Sequence, residues 1–486
     1  MTSSLRALLP GYSAPDVPVS GITLDSRRAK PGDLFIALKG SQHDGRCFIS
    51  DAVARGASAV LTTDLELGGG GGMVPMIGVP DLKQQVGHIA SRFYGHPSAK
   101  TTVVAVTGTN GKTSVTYLAA TALKALGRNV GIIGTLGQGL LGELEQTQMT
   151  TPDSITLQAG ISSMVTAGAE IVLMEASSHG LAQDRLNGTR VASAILTNLT
   201  RDHLDYHGSM SEYRAAKAKL FHWPELQSAL LNLDDPWGAE LVGQHLSPTI
   251  ITFSTHQESA SVHAKSANFD QGGLRFELVT PAGQTQVASG LMGAHNLSNL
   301  VAAGAFLYWY GVGLEEIGEA LGQCQAPPGR LEAVRVGPWL ALVDFAHTPD
   351  AVAQVLSSVN QHFNGRIICV IGCGGDRDVG KRPMMGQMAV DHSDLCFFTS
   401  DNPRSEDPAA IIDDMVRSLS APIPAERKII DRRQALAAAI DVQEKDDVVV
   451  VLGKGHEAYQ EVHGKRYPFS DRDVVKALLT EKAGLL

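Results

Sequence analysis

The sequence predicts an α/β protein of three domains, each a largely parallel sheet flanked by helices. Three observations carry that prediction. First, an apolar run at 101–106 passes through Thr107-Gly108-Thr109-Asn110-Gly111-Lys112-Thr113-Ser114 into a helical pattern of Tyr117, Leu118, Ala119, Ala122 and Leu123 that stops at Gly127. Second, short strand-like runs alternate with helical stretches along the chain, the pattern of parallel strands joined by helical crossovers. Third, His96-Pro97-Ser98-Ala99-Lys100 and Ala326-Pro327-Pro328-Gly329 interrupt the alternation. With 486 residues the chain is too long for one core. The expected division is a small N-terminal α/β domain at 1–100, a central mononucleotide-binding parallel-sheet domain at 101–330, and a C-terminal Rossmann-like α/β domain at 331–486.

In the first domain, runs at 22–24, 34–38 and 59–61 read as strands, with a helical pattern at 48–56. The five consecutive glycines at 68–72 read as a surface loop, because ordering them costs too much chain entropy. In the second domain, 171–174, 192–196 and 230–233 are the next strands, and 293–310 is an Ala- and Leu-rich helix. In the third, 340–343, 366–371, 395–399 and 448–452 are buried strands. Their ends carry Asp344, Gly372, Asp401 and Gly453, and open α/β sheets bind ligands beyond the carboxyl ends of their strands.

Composition excludes several function classes. The net charge is −10 with no Lys/Arg-rich run, which disfavours nucleic acid as a partner. No apolar run is long enough to span a bilayer, and residues 1–18 lack a basic region followed by an apolar core. Five irregularly spaced cysteines (Cys47, Cys324, Cys369, Cys373, Cys396) fit a reducing compartment. A cytoplasmic monomer without membrane insertion is expected. Cys369 and Cys373 read as small core residues rather than metal ligands.

The glycine turn at 107–114 aims backbone N–H groups at a phosphate on the positive end of a helix. Lys112 can neutralise β- and γ-phosphates, and the Thr113 hydroxyl can hold Mg²⁺. The general phosphate-loop pattern asks for glycine where Val106 stands. Glu175 ends the strand at 171–174, and a carboxylate there is well placed for Mg²⁺. The loop after the next strand contains Asn198, Arg201, Asp202, His203, Asp205 and His207, a crowd of metal and phosphate partners. On the helix that follows, Lys217 and Lys219 are two residues apart and face different ways. Spacing alone favours solvated lysines.

These residues, together with motifs at 293–299, 328–332 and 344–349, resemble those of the Mur ligases, the ATP-dependent amide-forming enzymes of peptidoglycan synthesis. The resemblance covers essentially the whole chain, and in this family the missing first glycine is normal. It implies an ATP site of Gly108, Thr109, Asn110, Gly111, Lys112, Thr113, Ser114, Asn296, Arg330 and Asp344, with His347 nearby. It implies two Mg²⁺ ions, one on Thr113 and Glu175 and one on His203 and Lys217, with Lys217 carbamylated to N6-carboxylysine. The catalytic set would be Lys112, Lys217, His203 and Arg330. A carbamate is an oxygen ligand suited to a hard cation, which an ammonium is not.

Within the family, the C-terminal motifs resemble those of the MurE type, which adds meso-2,6-diaminopimelate to UDP-MurNAc-L-Ala-D-Glu. The implied amino-acid contacts are Arg377, Asp401, Asn402, Pro403, Arg404, Gly453 and Glu457. Arg404 can fork onto the distal carboxylate that distinguishes diaminopimelate from lysine, and Glu457 suits the distal ammonium. Leu24, Ser26, Ser41, Gln42 and His43 match contacts to the uridine diphosphate, and Thr150, Thr151, Ser177, Gln183 and Arg185 match contacts to the sugar-peptide. Met149 stands where a relative has Asn. The expected reaction is ligation through an acyl phosphate, with domain closure on binding. The alternatives are a lysine-adding member, a folylpolyglutamate-synthetase-like ligase and a phosphate-loop regulatory switch.

Overall fold

The computed structural model describes residues 2–40, 44–63, 74–147, 149–244 and 248–485. The glycine run at 68–72 and the uridine-site residues Ser41, Gln42 and His43 lie outside the described residues. The chain divides into two compact units, Met1–Phe253 and Ser254–Leu486.

The first unit begins with a four-stranded parallel sheet whose spatial order follows the sequence: Gly21–Thr23, Asp33–Ala37, Ala59–Thr62 and Met76–Gly78. Leu24, expected inside the first strand, lies one residue beyond it. The helical pattern at 48–56 resolves into a 3-10 turn, Gly45–Phe48, running into the α-helix Ile49–Ala54. The helix Leu82–Phe93 buries Leu82, Val86, Ile89, Ala90 and Phe93, spaced to cover one helix face.

A larger sheet follows in the same unit. Its order is Thr249–Ser254, Ser228–Asn232, Ser193–Leu196, Thr102–Thr107, Ile171–Glu175, Val130–Gly134 and Gly137–Leu140. All neighbours are parallel except the last pair. Ile171–Glu175, Ser193–Leu196 and Ser228–Asn232 are buried throughout, and Thr102–Thr107 in all but its first residue, as central strands covered on both faces require. Register decides what the site contains. Glu175 pairs opposite Val106 and Leu196 opposite Thr107, so three strand ends come level and present their loops side by side.

The second unit opens with an antiparallel meander, Val262–Asp270, Gly273–Thr280 and Gly283–Ser289, where the expected strand–helix alternation had no such element. The helices Ala294–Trp309 and Leu314–Gln323 follow. Then comes a six-stranded sheet ordered Glu332–Val336, Trp339–Asp344, Val448–Leu452, Ile367–Cys373, Leu395–Ser400 and Lys428–Ile429, parallel except at its first strand. Alternate residues feed two cores. Leu342, Cys369 and Ile371 pack with the helices Pro349–Asn360, Lys381–Asp391 and Pro408–Val416. Val343, Ile368 and Val370 pack with Arg432–Asp441 and Asp471–Lys482. Cys369 and Cys373 are buried core residues, as expected.

Candidate functional site

The phosphate loop joins the strand Thr102–Thr107 to the helix Lys112–Ala125, the strand–turn–helix read from the sequence. Gly111 has φ +82, and Gly108 lies so close to its neighbour that an added Cβ would fall 1.8 Å from Thr197 Oγ1. Both positions require glycine. The loop is strapped to the end of the adjacent strand. Thr109 N donates to Asn198 O (2.9 Å), Asn110 N donates to Asn198 Oδ1 (2.9 Å), and Thr197 Oγ1 donates to Asn110 O (2.6 Å). The first-turn amides of the helix, which a helix leaves without internal partners, begin where this strapping ends. Lys112 Nζ donates to the carbonyls of Gly108 (2.9 Å) and Thr109 (2.8 Å).

Glu175 is 1% exposed. Its carboxylate accepts from Thr113 Oγ1 at 2.9 and 3.0 Å, from Thr135 N at 2.7 Å and from Thr135 Oγ1 at 3.3 Å. Among the described residues no lysine or arginine pairs with it. A buried carboxylate with hydroxyl neighbours and no cationic side chain fits a hard divalent cation. Thr135 also contacts Thr150 Oγ1 at 3.1 Å. Sequence reasoning missed Thr135, because an isolated threonine after a strand carries no motif. No three His, Cys, Asp or Glu side chains converge as a metal cluster among the described residues. An ion here would complete its shell with hydroxyl, phosphate and water oxygens.

Lys217 overturns the reading of solvated lysines. The helix Met210–Ala218 turns it inward, it is 1% exposed, and its ammonium donates to Gly108 O at 2.8 Å. Burial, and then the nearby charge of Lys112, pushes its pKa well below the ordinary lysine value. Lys219, in the 3-10 turn beyond, pairs instead with Asp184 at 3.1 Å. Tyr213 lies under Lys217 Nζ, 4.7 Å from ring centroid to nitrogen, and contacts Thr109 Oγ1 at 3.1 Å. Burial lifts its phenol to about 12, so it stays a neutral partner. His203, at φ +52, belongs to a ring cluster with His179 (4.9 Å between centroids) and Tyr213 (6.2 Å).

The positions expected to contact the sugar-peptide gather next to Glu175. Thr151 Oγ1 donates to Glu175 O (2.7 Å) and accepts from Ser177 N (3.0 Å). Arg185 donates to Gln183 Oε1 (2.6 Å) and Thr151 O (2.6 Å), and Gln183 Nε2 donates to Tyr206 (2.9 Å). Leu24 lines a cleft of about 1010 Å³ with Asp25, Arg27, Arg28, Gln138 and Asp153. Ser26, 6% exposed, does not line it.

In the second unit, Arg330 Cζ stacks 5.4 Å from the centroid of Phe345. Asp344 accepts from Leu331 N and Ala346 N, each at 2.7 Å, so it fastens a strand end to the turn at 328–331. Burial raises its pKa. His347 Nδ1 lies 2.8 Å from Phe345 O. Asn296 is 3% exposed, with its amide engaged by Met292 O and Asn299.

The positions expected to contact the amino acid meet at the strand ends of the six-stranded sheet. Arg404 has φ +51, donates to Gly375 O at 2.7 Å, and is held by the hairpin Tyr459–Val462/Lys465–Pro468 through Glu461 O and His463 N. Arg377 is exposed on the loop after Ile367–Cys373, where a Cβ on Gly374 would meet both Arg404 Nη1 (3.0 Å) and Arg377 Cγ (3.9 Å). Asp401 and Asn402 are 6% and 3% exposed, and Pro403 is packed against Gly375. Burial raises the Asp401 pKa. Gly453, at φ +116, would place a Cβ 2.5 Å from Asp401 Oδ2. Asn402 Nδ2 donates to Glu457 Oε2 at 2.8 Å, so the two motifs form one wall.

Comparison with known proteins identifies the family of the chain as a whole. Models of the Mur ligase family, catalytic domain, the Mur ligase middle domain, and the Mur ligase, glutamate ligase domain match residues 18–94, 106–307 and 329–455. A protein of Ectopseudomonas mendocina, named UDP-N-acetylmuramoyl-L-alanyl-D-glutamate–2,6-diaminopimelate ligase, is 48% identical over 97% of each chain. Relatives of the same name from Pseudomonas aeruginosa and Chromobacterium violaceum are 46% and 42% identical, covering 97% and 96% of this chain and 97% and 95% of theirs. A solved structure of that name superposes with TM-score 0.76 at 35% identity, covering 99% of this chain and 100% of the other. The folylpolyglutamate synthase of Mycobacterium tuberculosis shares the fold at TM-score 0.58 and 18% identity, over 75% of this chain and 91% of its own.

Proposed function

Because the chain belongs to the Mur ligase family, we propose that it joins meso-2,6-diaminopimelate to UDP-N-acetylmuramoyl-L-alanyl-D-glutamate at the expense of ATP. The observation that carries the amino-acid choice is the wall formed by 401–404 and 453–457. It sets the Arg404 guanidinium and the Glu457 carboxylate on loops tied together through Asn402. A ligand bearing both a carboxylate and an ammonium at its distal end matches that pair; lysine offers only the ammonium.

The division of labour we propose is substrate nucleotide binding by 1–100, ATP chemistry by 101–330 and amino-acid delivery by 331–486. Amide formation from a free carboxylate is uphill in water, so the γ-carboxylate of the glutamyl residue attacks the ATP γ-phosphorus and expels ADP. The diaminopimelate amine then attacks the acyl carbon, loses its proton and expels phosphate. The amides at the start of Lys112–Ala125 bind phosphate oxygens, and the Lys112 ammonium transfers from loop carbonyls to the γ-phosphate. Arg330 adds charge at the phosphates, and Asn296 and Asp344 hold the nucleoside. Thr151, Ser177, Gln183 and Arg185 orient the peptide carboxylate, and Leu24, Ser26 and 41–43 hold the uridine diphosphate.

Thr113 and Glu175 would hold one Mg²⁺, and His203 with the Lys217 carbamate a second; the ions would neutralise phosphate charge at the reacting centre. Only an unprotonated amine adds to CO₂, and burial, which lowers the Lys217 pKa well below the ordinary lysine value, favours that form. Labelling with ¹³CO₂ should give a carbamate ¹³C resonance that Lys217→Met abolishes. Among the described residues no helix is long and apolar enough to cross a membrane, and a cytoplasmic monomer is the proposed state.

The deciding experiment is an amino-acid panel with the UDP-dipeptide and ATP. Turnover with meso-diaminopimelate should exceed that with L-lysine by roughly 100-fold or more, as expected for a site built to bond a polar group its competitor lacks. Equal use of both would sink the assignment, as would rapid ATP hydrolysis without cosubstrates.

A further inference from the structure

Lys454 lies between Gly453 and Glu457, two residues of the proposed amino-acid site, and it is wholly buried. Its ammonium donates to Tyr459 O (2.5 Å), Asn402 Oδ1 (3.2 Å) and Glu457 Oε2 (3.2 Å), with Asp401 Oδ1 at 3.9 Å. An ammonium has three N–H donors, and all three are spent inside the protein. Lys454 therefore does not reach a ligand by donating to it.

It does decide where two other groups point. Asn402 Oδ1 accepts from Lys454 and from Glu461 N (2.8 Å), which fixes the flip of the amide and sends Nδ2 to Glu457 Oε2 (2.8 Å). Glu457 Oε2 thus takes both protein contacts, and among the described residues Oε1 is left for a ligand. Lys454 stands between two acids, Asp401 and Glu457, and the buried Arg432 also faces Asp401. Without Lys454, Asn402 Oδ1 and Glu457 Oε2 would each lose a donor, and a polar group left short of partners in a partly buried wall does not hold one geometry.

We propose that Lys454 is the positioning residue of the amino-acid site: it aligns Asn402 and Glu457 so that Glu457 Oε1 meets the distal ammonium of the diamino acid. This rests on the assignment of 401–404 and 453–457 as that site. The action runs through Glu457, so it is visible in the substrate's KM and not in the handling of ATP.

The test uses the full chain and a double-mutant cycle of Lys454→Met and Glu457→Gln, with meso-diaminopimelate varied at saturating ATP and UDP-dipeptide. Lys454→Met should raise the KM for meso-diaminopimelate roughly 10-fold or more, with the KM for ATP within about twofold. The double variant should be no worse than Glu457→Gln alone, as for residues acting as one unit. Additive losses, or equal changes in both KM values and kcat, would overturn the proposal. Lys454→Gln keeps a donor for Tyr459 O and serves the same cycle if Lys454→Met does not fold. If neither variant folds, the residue is structural and the proposal fails. A wild-type chain that does not use meso-diaminopimelate refutes the site assignment instead, a separate outcome.

Discussion

Glu175 shows why the site costs stability. Burying a carboxylate at 1% exposure against two threonines and, among the described residues, no cationic side chain carries a desolvation cost. Glu175→Gln keeps the shape and the bond from Thr135 N while removing the charge. The variant should melt at or above the wild-type temperature yet lose roughly 100-fold or more in ligase rate, the size of effect seen when a charge-stabilising group is removed. A clear fall in melting temperature with retained rate would mark Glu175 as structural. The thiols give a second residue-scale prediction. Cys47 is exposed and the other four are buried, so a disulfide reagent should label one thiol in the native protein and all five after denaturation. Burial lifts the Cys373 thiol from 9.0 to about 12, so the native state keeps a proton that the unfolded chain releases. Its contribution is full below pH 9.0 and lost as pH climbs toward about 12, by at most roughly 4 kcal/mol. Cys373→Ala should remove that slope from urea-unfolding free energies measured across this range. Residues with a motif (Gly108, Gly111, Thr113, Glu175, Arg404) were legible in the sequence because their chemistry needs a fixed local spacing. Thr135 and Lys454 were not, since each acts through contacts made only when distant loops meet.

At the scale of elements, the strand ends that carry the proposed amino-acid site are anchored by one buried ion pair. Arg432 begins the helix Arg432–Asp441 and Asp471 begins Asp471–Lys482. They pair bidentately at 2.7 Å for both contacts, and both side chains are fully buried. Arg432 also donates to Ser400 O (3.3 Å) and Leu452 O (3.0 Å), the residues just before Asp401 and Gly453. Asp471→Asn leaves the guanidinium uncompensated and should cost roughly 3–5 kcal/mol in urea unfolding, whereas replacing both partners by Leu and Met should recover most of the loss. An Asp471→Asn chain within about 1 kcal/mol of wild type would show that the pair is not the anchor. The sheets themselves were legible because doubly covered strands read as continuous apolar runs. The meander Val262–Asp270, Gly273–Thr280 and Gly283–Ser289 was not, because its first strand exposes Lys265, Ser266, Ala267 and Asn268 and lacks a clean alternation. The helix Leu82–Phe93 has the helical spacing of apolar residues but no motif beside it.

At the scale of the whole molecule, the UDP-dipeptide and diaminopimelate are proposed to bind different units. Every residue proposed for the UDP-dipeptide lies within Met1–Phe253, and every residue proposed for diaminopimelate lies within Ser254–Leu486. Each unit has its own buried clusters, so unfolding should not be a single two-state event, and the calorimetric enthalpy should exceed the van't Hoff enthalpy. Mass action then labels the transitions. A ligand at 100 times its dissociation constant stabilises the unit that binds it by about 2.7 kcal/mol and leaves a unit it does not touch where it was. In scanning calorimetry, meso-diaminopimelate should raise the transition of the second unit and the UDP-dipeptide that of the first. Unit assignment can be made independently by following the four buried cysteines, all of which lie in Ser254–Leu486, through their exposure to a thiol reagent during unfolding. If diaminopimelate moved only the transition in which no buried thiol is released, the amino acid would bind the first unit, and the assignment of 401–404 and 453–457 would be wrong. If both ligands moved one common transition with equal enthalpies by the two methods, the units would fold as a single cooperative body. Ligand chemistry would then have to be mapped by the Arg404 and Lys454 variants.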